Sequence, residues 1–294
     1  MSGRFGTLAT AMVTPFSEDG SLDLDRAREV AAWLLDHGTD TLVVTGSTGE
    51  AATLSDEEKI DLWRAAVEVA EGRGTVIAGT GTYDTAHSVH LTEEAEKVGA
   101  DAMLLVTPYY NKPPQRGLIE HFTTVARATS KPCMVYNIPG RTGTRISHET
   151  LLTMAETENI VAVKDSTGDL DGVSKLVRDA PEGFEVYCGD DWAAFAMLCA
   201  GARGLVSVAA HVAGERLREM MELTLAGDAP GGRKIHETLL GVFDALFITS
   251  NPIPLKAAME MIGQPVGPPR LPLVPATDEE RAAVRKALED AGLL

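Results

Sequence analysis

The sequence is short of the features that staple, anchor or attract polyanions. Cysteine occurs three times in 294 residues (Cys133, Cys188, Cys199), too few and too scattered for a disulfide framework or a CxxC metal site. All three sit in apolar runs and are expected to be plain buried thiols. Basic residues are scarce, 26 against 43 acidic ones, leaving a net charge of −17. Such a surface repels phosphate backbones, which argues against nucleic acid as a partner. No apolar run reaches the roughly 18 residues of a membrane span, so no membrane partner is expected. The opening "MSGRFGTLATAMVTPF" has no basic stretch followed by an apolar block, the pattern of a signal peptide. These absences together predict a soluble, cytoplasmic protein.

Present instead is an alternation. With 44% hydrophobic residues the chain can fill a large core. Apolar runs at 6–16, 41–46, 75–81, 102–110, 133–139, 160–166, 185–190 and 204–210 read as strands. Amphipathic stretches separate them, for example "SDEEKIDLWRAAVEVAEG", with Ser55 as cap and Glu58 at the capping-box position. Ser147 and Thr150 repeat that signature without the glutamate. Doubly buried strands joined by helices imply parallel pairing. Eight units in about 225 residues predict an α/β fold, a closed (β/α)8 TIM barrel over 1–226. A doubly wound open sheet is the alternative, since periodicity does not prove closure. The strand signal then stops. "GDAPGGRK" (227–234) reads as a joint, and helices near 233–248, 254–262 and 277–291 form a small C-terminal all-helical domain, 227–294.

Function in a barrel collects at the C-terminal ends of the strands. Thr48, Tyr110, Tyr136 and Lys164 are spaced by about two, one and one repeat units of roughly 28 residues, which predicts one height and one pocket. Lys164 ends the apolar run "IVAVK". A strand-end lysine ordinarily snorkels into water, but this one follows a strand that faces a packed interior. Burial disfavours a charged amine, and a free amine facing a carbonyl makes a Schiff base. The Tyr136 phenol could carry the protons that step needs. In "GSTGE" (46–50), Ser47 and Thr48 offer hydroxyls and loop amides to a small carboxylate; Arg141 could clamp a second one. Two other patterns carry no weight. "GTGTYD" (79–84) has Asp84 where a dinucleotide loop needs its third glycine, and His87 with His90 lacks a third metal ligand.

The motifs "GSTGE", "VTPYYNKP", "YNIPGRTG", "VKDSTGD" and "GDD" resemble the dihydrodipicolinate synthase family, pyruvate-dependent class I aldolases in one superfamily with N-acetylneuraminate lyase. The resemblance extends to "NPIPLKAAME" and "RLPL" near the C-terminus. GSTGE and the lysine belong to the whole superfamily, whereas "YNIPGRTG" with Arg141, together with "TPYYNKP", points much more specifically to the synthases. The resemblance implies that Lys164 forms an imine with pyruvate and that its enamine attacks L-aspartate 4-semialdehyde, giving 4-hydroxy-tetrahydrodipicolinate on the way to diaminopimelate and lysine. It implies a proton relay of Tyr136, Thr48 and Tyr110, with Tyr110 reaching the site of a neighbouring subunit in a tight dimer. A homotetramer, a dimer of dimers, is the expected assembly. Arg141 would hold the semialdehyde carboxylate, and the backbone around Gly189 and Val206 would line the pyruvate pocket with Ser47 and Thr48. No metal or organic cofactor is implied.

Two positions depart from the family's pattern. Ser47 stands where many members have Thr, losing only a methyl group. Feedback-sensitive members share Tyr109 but have Asn at the position of Tyr83 and Glu at that of His87, so inhibition by lysine is expected to be weak or absent. Competing readings are an aldolase or dehydratase acting on N-acetylneuraminate or a 2-keto-3-deoxy sugar acid, and a non-catalytic barrel that binds a keto acid. Arg141 argues against the sugar acids, which call for hydroxyl-bearing side chains. The complete set of Lys164, Tyr136, Thr48 and Tyr110 argues against a mere binder.

Overall fold

A computed structural model describes residues 3–294. Eight parallel strands close into a barrel: β1 (Leu8–Ala11), β2 (Thr41–Val44), β3 (Thr75–Gly79), β4 (Ala102–Val106), β5 (Cys133–Asn137), β6 (Ile160–Asp165), β7 (Glu185–Cys188) and β8 (Gly204–Ser207). β8 returns to β1, with Ala9 in register with Val206, so the sheet has no edge and the open-sheet alternative is excluded. The crossovers are α1 (Leu24–Asp36), α2 (Asp56–Ala70), α3 (Thr85–Lys97), α4 (Gln115–Ala126), the short α5 (Pro139–Thr142), α6 (His148–Ala155), α7 (Leu170–Asp179), α8 (Ala194–Cys199) and α9 (Ala210–Leu225). The capping box on α2 forms as its sequence predicts, and Ser147 accepts the Thr150 amide at the start of α6.

Side chains alternate across each strand. On β6, Ala162 faces the barrel interior with Val43, Ile77 and Met134, while Val163 packs outward against the helices. The lower end is plugged by Phe5 and Tyr187, whose ring centroids are 5.9 Å apart. The Tyr187 hydroxyl accepts the Phe5 amide at 3.1 Å and donates to the Gly6 carbonyl at 3.1 Å. With that end filled, a ligand can reach the interior only from the C-terminal rim.

Three helices follow the last strand unit: α10 (Ala229–Leu246), α11 (Ile253–Met261) and α12 (Asp278–Asp290). The expected joint at 227–234 is shorter than its composition suggests. Asp228 caps α10 by accepting the Gly231 amide, and Pro230 sits in the first turn, where its missing N–H costs nothing. Gly232 lies so close to α9 that a Cβ there would meet Thr224 Oγ1 at 2.1 Å. Gly232 therefore serves helix packing, and only Ala226, Gly227 and Asp228 remain between α9 and α10. A second correction concerns the thiols. Cys133 and Cys188 are buried, but Cys199, at the end of α8, points away from the core and is exposed.

Candidate active site

Lys164 is the next inward-facing residue of β6 after Ala162, and it lies at the rim, only 5% exposed. Its backbone is in register with Tyr136 of β5 on one side and Tyr187 of β7 on the other. The amine lies over the Tyr136 ring, 4.1 Å from its centroid. Gly189, just past β7, is required by this arrangement. A Cβ there would meet Ser166 Oγ at 2.0 Å and Lys164 Cε at 3.0 Å. A small chamber of about 40 Å³ brings Lys164, Tyr136, Ser47, Thr48, Arg141 and Gly189 together. It opens towards a wider cavity of about 570 Å³, with Ser47, Tyr136 and Arg141 lining both.

The GSTGE loop follows β2 in a constrained path. Thr45 and Glu50 both adopt positive φ, 58° and 53°, a conformation that disfavours L side chains and persists where neighbours enforce it. Thr45 Oγ1 accepts the Trp63 indole N–H at 2.7 Å. Glu50 forms a buried ion pair with Lys256 of α11 at 2.8 Å and accepts the Arg270 amide at 2.9 Å. Burial holds the Lys256 amine below its ordinary value, while the Glu50 carboxylate acts in the opposite sense. A sequence reading misses this anchor because its partners are about 200 residues apart.

Thr48 and Ser47 have exchanged the expected prospects. Thr48 is buried and its Oγ1 accepts the Asn251 carboxamide N–H at 2.8 Å. Ser47 is exposed and, among the described residues, its hydroxyl has no protein partner. Arg141, on α5, donates weakly to the Asn251 carbonyl at 3.4 Å. Asn251 lines both cavities and went unnoticed as a site residue, although "NPIP" begins with it.

Tyr110 is not brought to the other three within this chain. The β4 residue in register with Tyr136 is Val106, and Tyr110 lies four residues beyond it in the loop. Its near-integral spacing therefore does not signify equal height. It has a positive φ of 73° and is 92% exposed. Thr48 likewise lies past the end of β2. Val206 lies in the interior cluster below the chamber, and the lining residue that follows β8 is Val208.

Acidic groups surround the amine. Asp190 lines the chamber with Lys164, and its carboxyl is pushed up to about 6, chiefly by burial and against the pull of the Lys164 charge. The adjacent Asp191 is fully buried and ties β7 to the end of β8. It accepts the Val208 and Ala209 amides at 3.1 and 3.0 Å and the Ser207 hydroxyl. In the wide cavity, His87 meets Asp56 at 2.9 Å, Lys59 meets Asp56 at 3.3 Å, and the Tyr83 and Tyr109 rings pack edge to face at 5.3 Å. Among the described residues no group of three or more His, Cys, Asp or Glu is placed to hold a metal ion. Nor is any helix long and apolar enough to cross a membrane.

With this geometry in place, comparisons with known proteins agree. The sequence model described as the dihydrodipicolinate synthetase family matches residues 4–291. The chain is 51% identical over 291 residues, 99% of its length, to all of a 4-hydroxy-tetrahydrodipicolinate synthase of Moorella thermoacetica. Among solved structures it is similar, at TM-score 0.98 and 41% identity over 99% of this chain and 100% of that one, to a Cyanidioschyzon merolae dihydrodipicolinate synthase with lysine bound. It is also similar, at TM-score 0.96 and 39% identity over the same shares, to a chloride-inhibited dihydrodipicolinate synthase of Acinetobacter baumannii in complex with pyruvate.

Proposed function

The chain belongs to the dihydrodipicolinate synthetase family, and from that premise we propose that Lys164 is its Schiff-base nucleophile. The enzyme condenses pyruvate with L-aspartate 4-semialdehyde to 4-hydroxy-tetrahydrodipicolinate, a step of lysine biosynthesis through diaminopimelate. The observation that carries the reading is a buried amine at the barrel rim, in register with a phenol and against its ring.

The neutral amine attacks the keto carbon, and the carbinolamine loses water to give an imine. Loss of a proton from the adjoining methyl carbon gives the enamine. Its carbon bonds to the aldehyde carbon of the second substrate, whose oxygen takes up a proton. The semialdehyde's own amine then adds to the imine carbon and expels Lys164, closing the ring and restoring the free lysine. One water leaves overall. Tyr136 moves protons at these steps. Ser47 suits the hydroxyl place in the relay better than Thr48, because it lines both cavities and its hydroxyl is uncommitted. Thr48 and the loop amides hold the pyruvate carboxylate, Arg141 holds that of the semialdehyde, and Gly189 admits both by lacking a side chain. Val206 supports the floor from below.

Tyr110 completes the relay in a neighbouring subunit. A phenol held in an unfavourable φ and left almost wholly exposed supports that placement, and the assembly is then a homotetramer built from tight dimers. Within each chain the barrel (1–226) supplies the reacting groups, and the helical part (227–294) buttresses them through Asn251 and Lys256. Small polar substrates and unpaired cysteines suit the cytoplasm.

The test is chemical trapping. Pyruvate with borohydride should add one reduced pyruvate to Lys164, located by peptide mass, and Lys164→Ala should abolish it. An untrapped wild-type protein would refute the reading. Turnover with aspartate semialdehyde, and none with N-acetylneuraminate, separates the synthase from its superfamily relatives.

A further inference from the structure

Asn251 stands in a chain position from which no reacting group was expected, between α10 and α11, yet it is 4% exposed and borders the reaction chamber. Its carboxamide Nδ2 donates to Thr48 Oγ1 at 2.8 Å, in a bond that is itself buried. Among the described residues its buried Oδ1 has no protein partner. A buried acceptor without a protein partner is destabilising, so this carboxamide is held where packing alone would favour an apolar side chain.

The bond has a directional consequence. A hydroxyl has one proton and can accept on its oxygen. With the oxygen of Thr48 accepting from Asn251, its proton is left to be given away, and the space beside it is the chamber with Lys164. A hydroxyl turned that way suits an anion, which only accepts.

We propose that Asn251 is a positioning residue for the keto acid: it acts through Thr48, orienting that hydroxyl as a donor to the pyruvate carboxylate. The inference rests on the Schiff-base reading and deepens it. It also links the two carboxylate sites, since the carbonyl of the same residue receives Arg141.

The test is a double-mutant cycle read by pyruvate half-saturation of borohydride trapping on Lys164. Asn251→Ala releases the Thr48 hydroxyl and should raise the half-saturating pyruvate about three- to tenfold, the worth of one hydrogen bond. Asn251→Asp, nearly identical in shape, can only accept from Thr48 and adds a negative charge, so it should raise it further. In a Thr48→Val background Asn251→Ala should have no further effect and Asn251→Asp should keep only the part due to its charge, whereas in Thr48→Ser both should keep their full effect. Unaltered half-saturation in Asn251→Asp would overturn the proposal, as would equal losses with and without the Thr48 hydroxyl. Should Asn251→Ala fold poorly by its thermal transition, the difference in the effect of Asn251→Asp with and without the Thr48 hydroxyl decides. Failure of the Schiff-base reading is distinguishable, because the wild-type protein would then trap no pyruvate at any concentration.

Discussion

The Lys164 amine and the Tyr136 ring are in contact across neighbouring strands, 4.1 Å from nitrogen to centroid, at paired register positions. The ring face stabilises a cation by roughly 0.5–2 kcal/mol, and the iminium formed with pyruvate is a cation too. Ring and hydroxyl thus have separable duties. Tyr136→Phe keeps the ring and should still form the trapped adduct, while turnover falls about 10²–10⁴-fold for want of the proton carrier. Tyr136→Leu should weaken adduct formation as well. Equal adduct yields in the two variants would remove the ring from the account.

Tyr110 supplies a test of the shared site. Its side chain makes almost no contact within its own chain, so Tyr110→Phe should leave the thermal unfolding midpoint of the protomer fold unchanged. Turnover should nevertheless drop by at least about tenfold, within the range for a lost proton-transfer group. Unchanged turnover would exclude it from the relay.

Asp190 predicts a pH limb. Its carboxyl titrates near 6 because burial penalises the anion. Below that value it is neutral, and above it the carboxylate can offset the iminium's charge. At subsaturating pyruvate, the trapped fraction should therefore rise as pH increases through about 6. Asp190→Asn, which does not ionise, should lose that limb; a limb that persists in the variant would point to another group.

The lysine prediction gains a structural reason. The wide cavity holds Tyr109, but the carboxylate there, Asp56, is already bonded by His87 and Lys59. Burial acts to raise its titration, yet those two partners hold it below the ordinary carboxylate range. A lysine ammonium finds no uncommitted anion at that place, and the Tyr83 phenol occupies room beside it. Calorimetry should give a Kd for L-lysine weaker than about 1 mM. Submicromolar binding would show that the pair opens to admit it.

How far this could be read in advance depended on range. Strand and helix order was legible because alternation and capping are local, as Ser55 with Glu58 demonstrates. The Lys164–Tyr136 pairing was legible because strands in register repeat at nearly constant spacing. The same spacing misled at Tyr110, which lies in a loop where the repeat has no geometric meaning, whereas Thr48, also past its strand end, does line the chamber. Asn251, Glu50 with Lys256, and Asp191 were hidden for a different reason. Each acts through a contact whose partner only the closed barrel and its helical tail bring near.

His211 joins the end of β1 to the first turn of α9 and predicts an acid-sensitive fold. Its Nε2 accepts the Val13 amide at 3.1 Å, and its Nδ1 faces the Val208 carbonyl at 2.8 Å. The ring is therefore neutral, with its proton on Nδ1, since an N–H on Nε2 would oppose the Val13 N–H. Complete burial lowers it from 6.5 to about 4. A depressed value means that protons bind the unfolded chain first. The stabilisation is fully present above about 6.5 and is lost as pH falls through about 4; the linkage is worth about 3 kcal/mol. Thermal unfolding followed from pH 7.5 to 4 should show this loss. His211→Gln, which cannot take up the proton, should be less stable at neutral pH but shallower in its acid slope. His121, lowered to about 4 by burial, His236, also lowered by burial, and the ion-paired carboxylates remain in both proteins and contribute to the residual slope. Parallel slopes for the two proteins would show that His211 is protonated without cost.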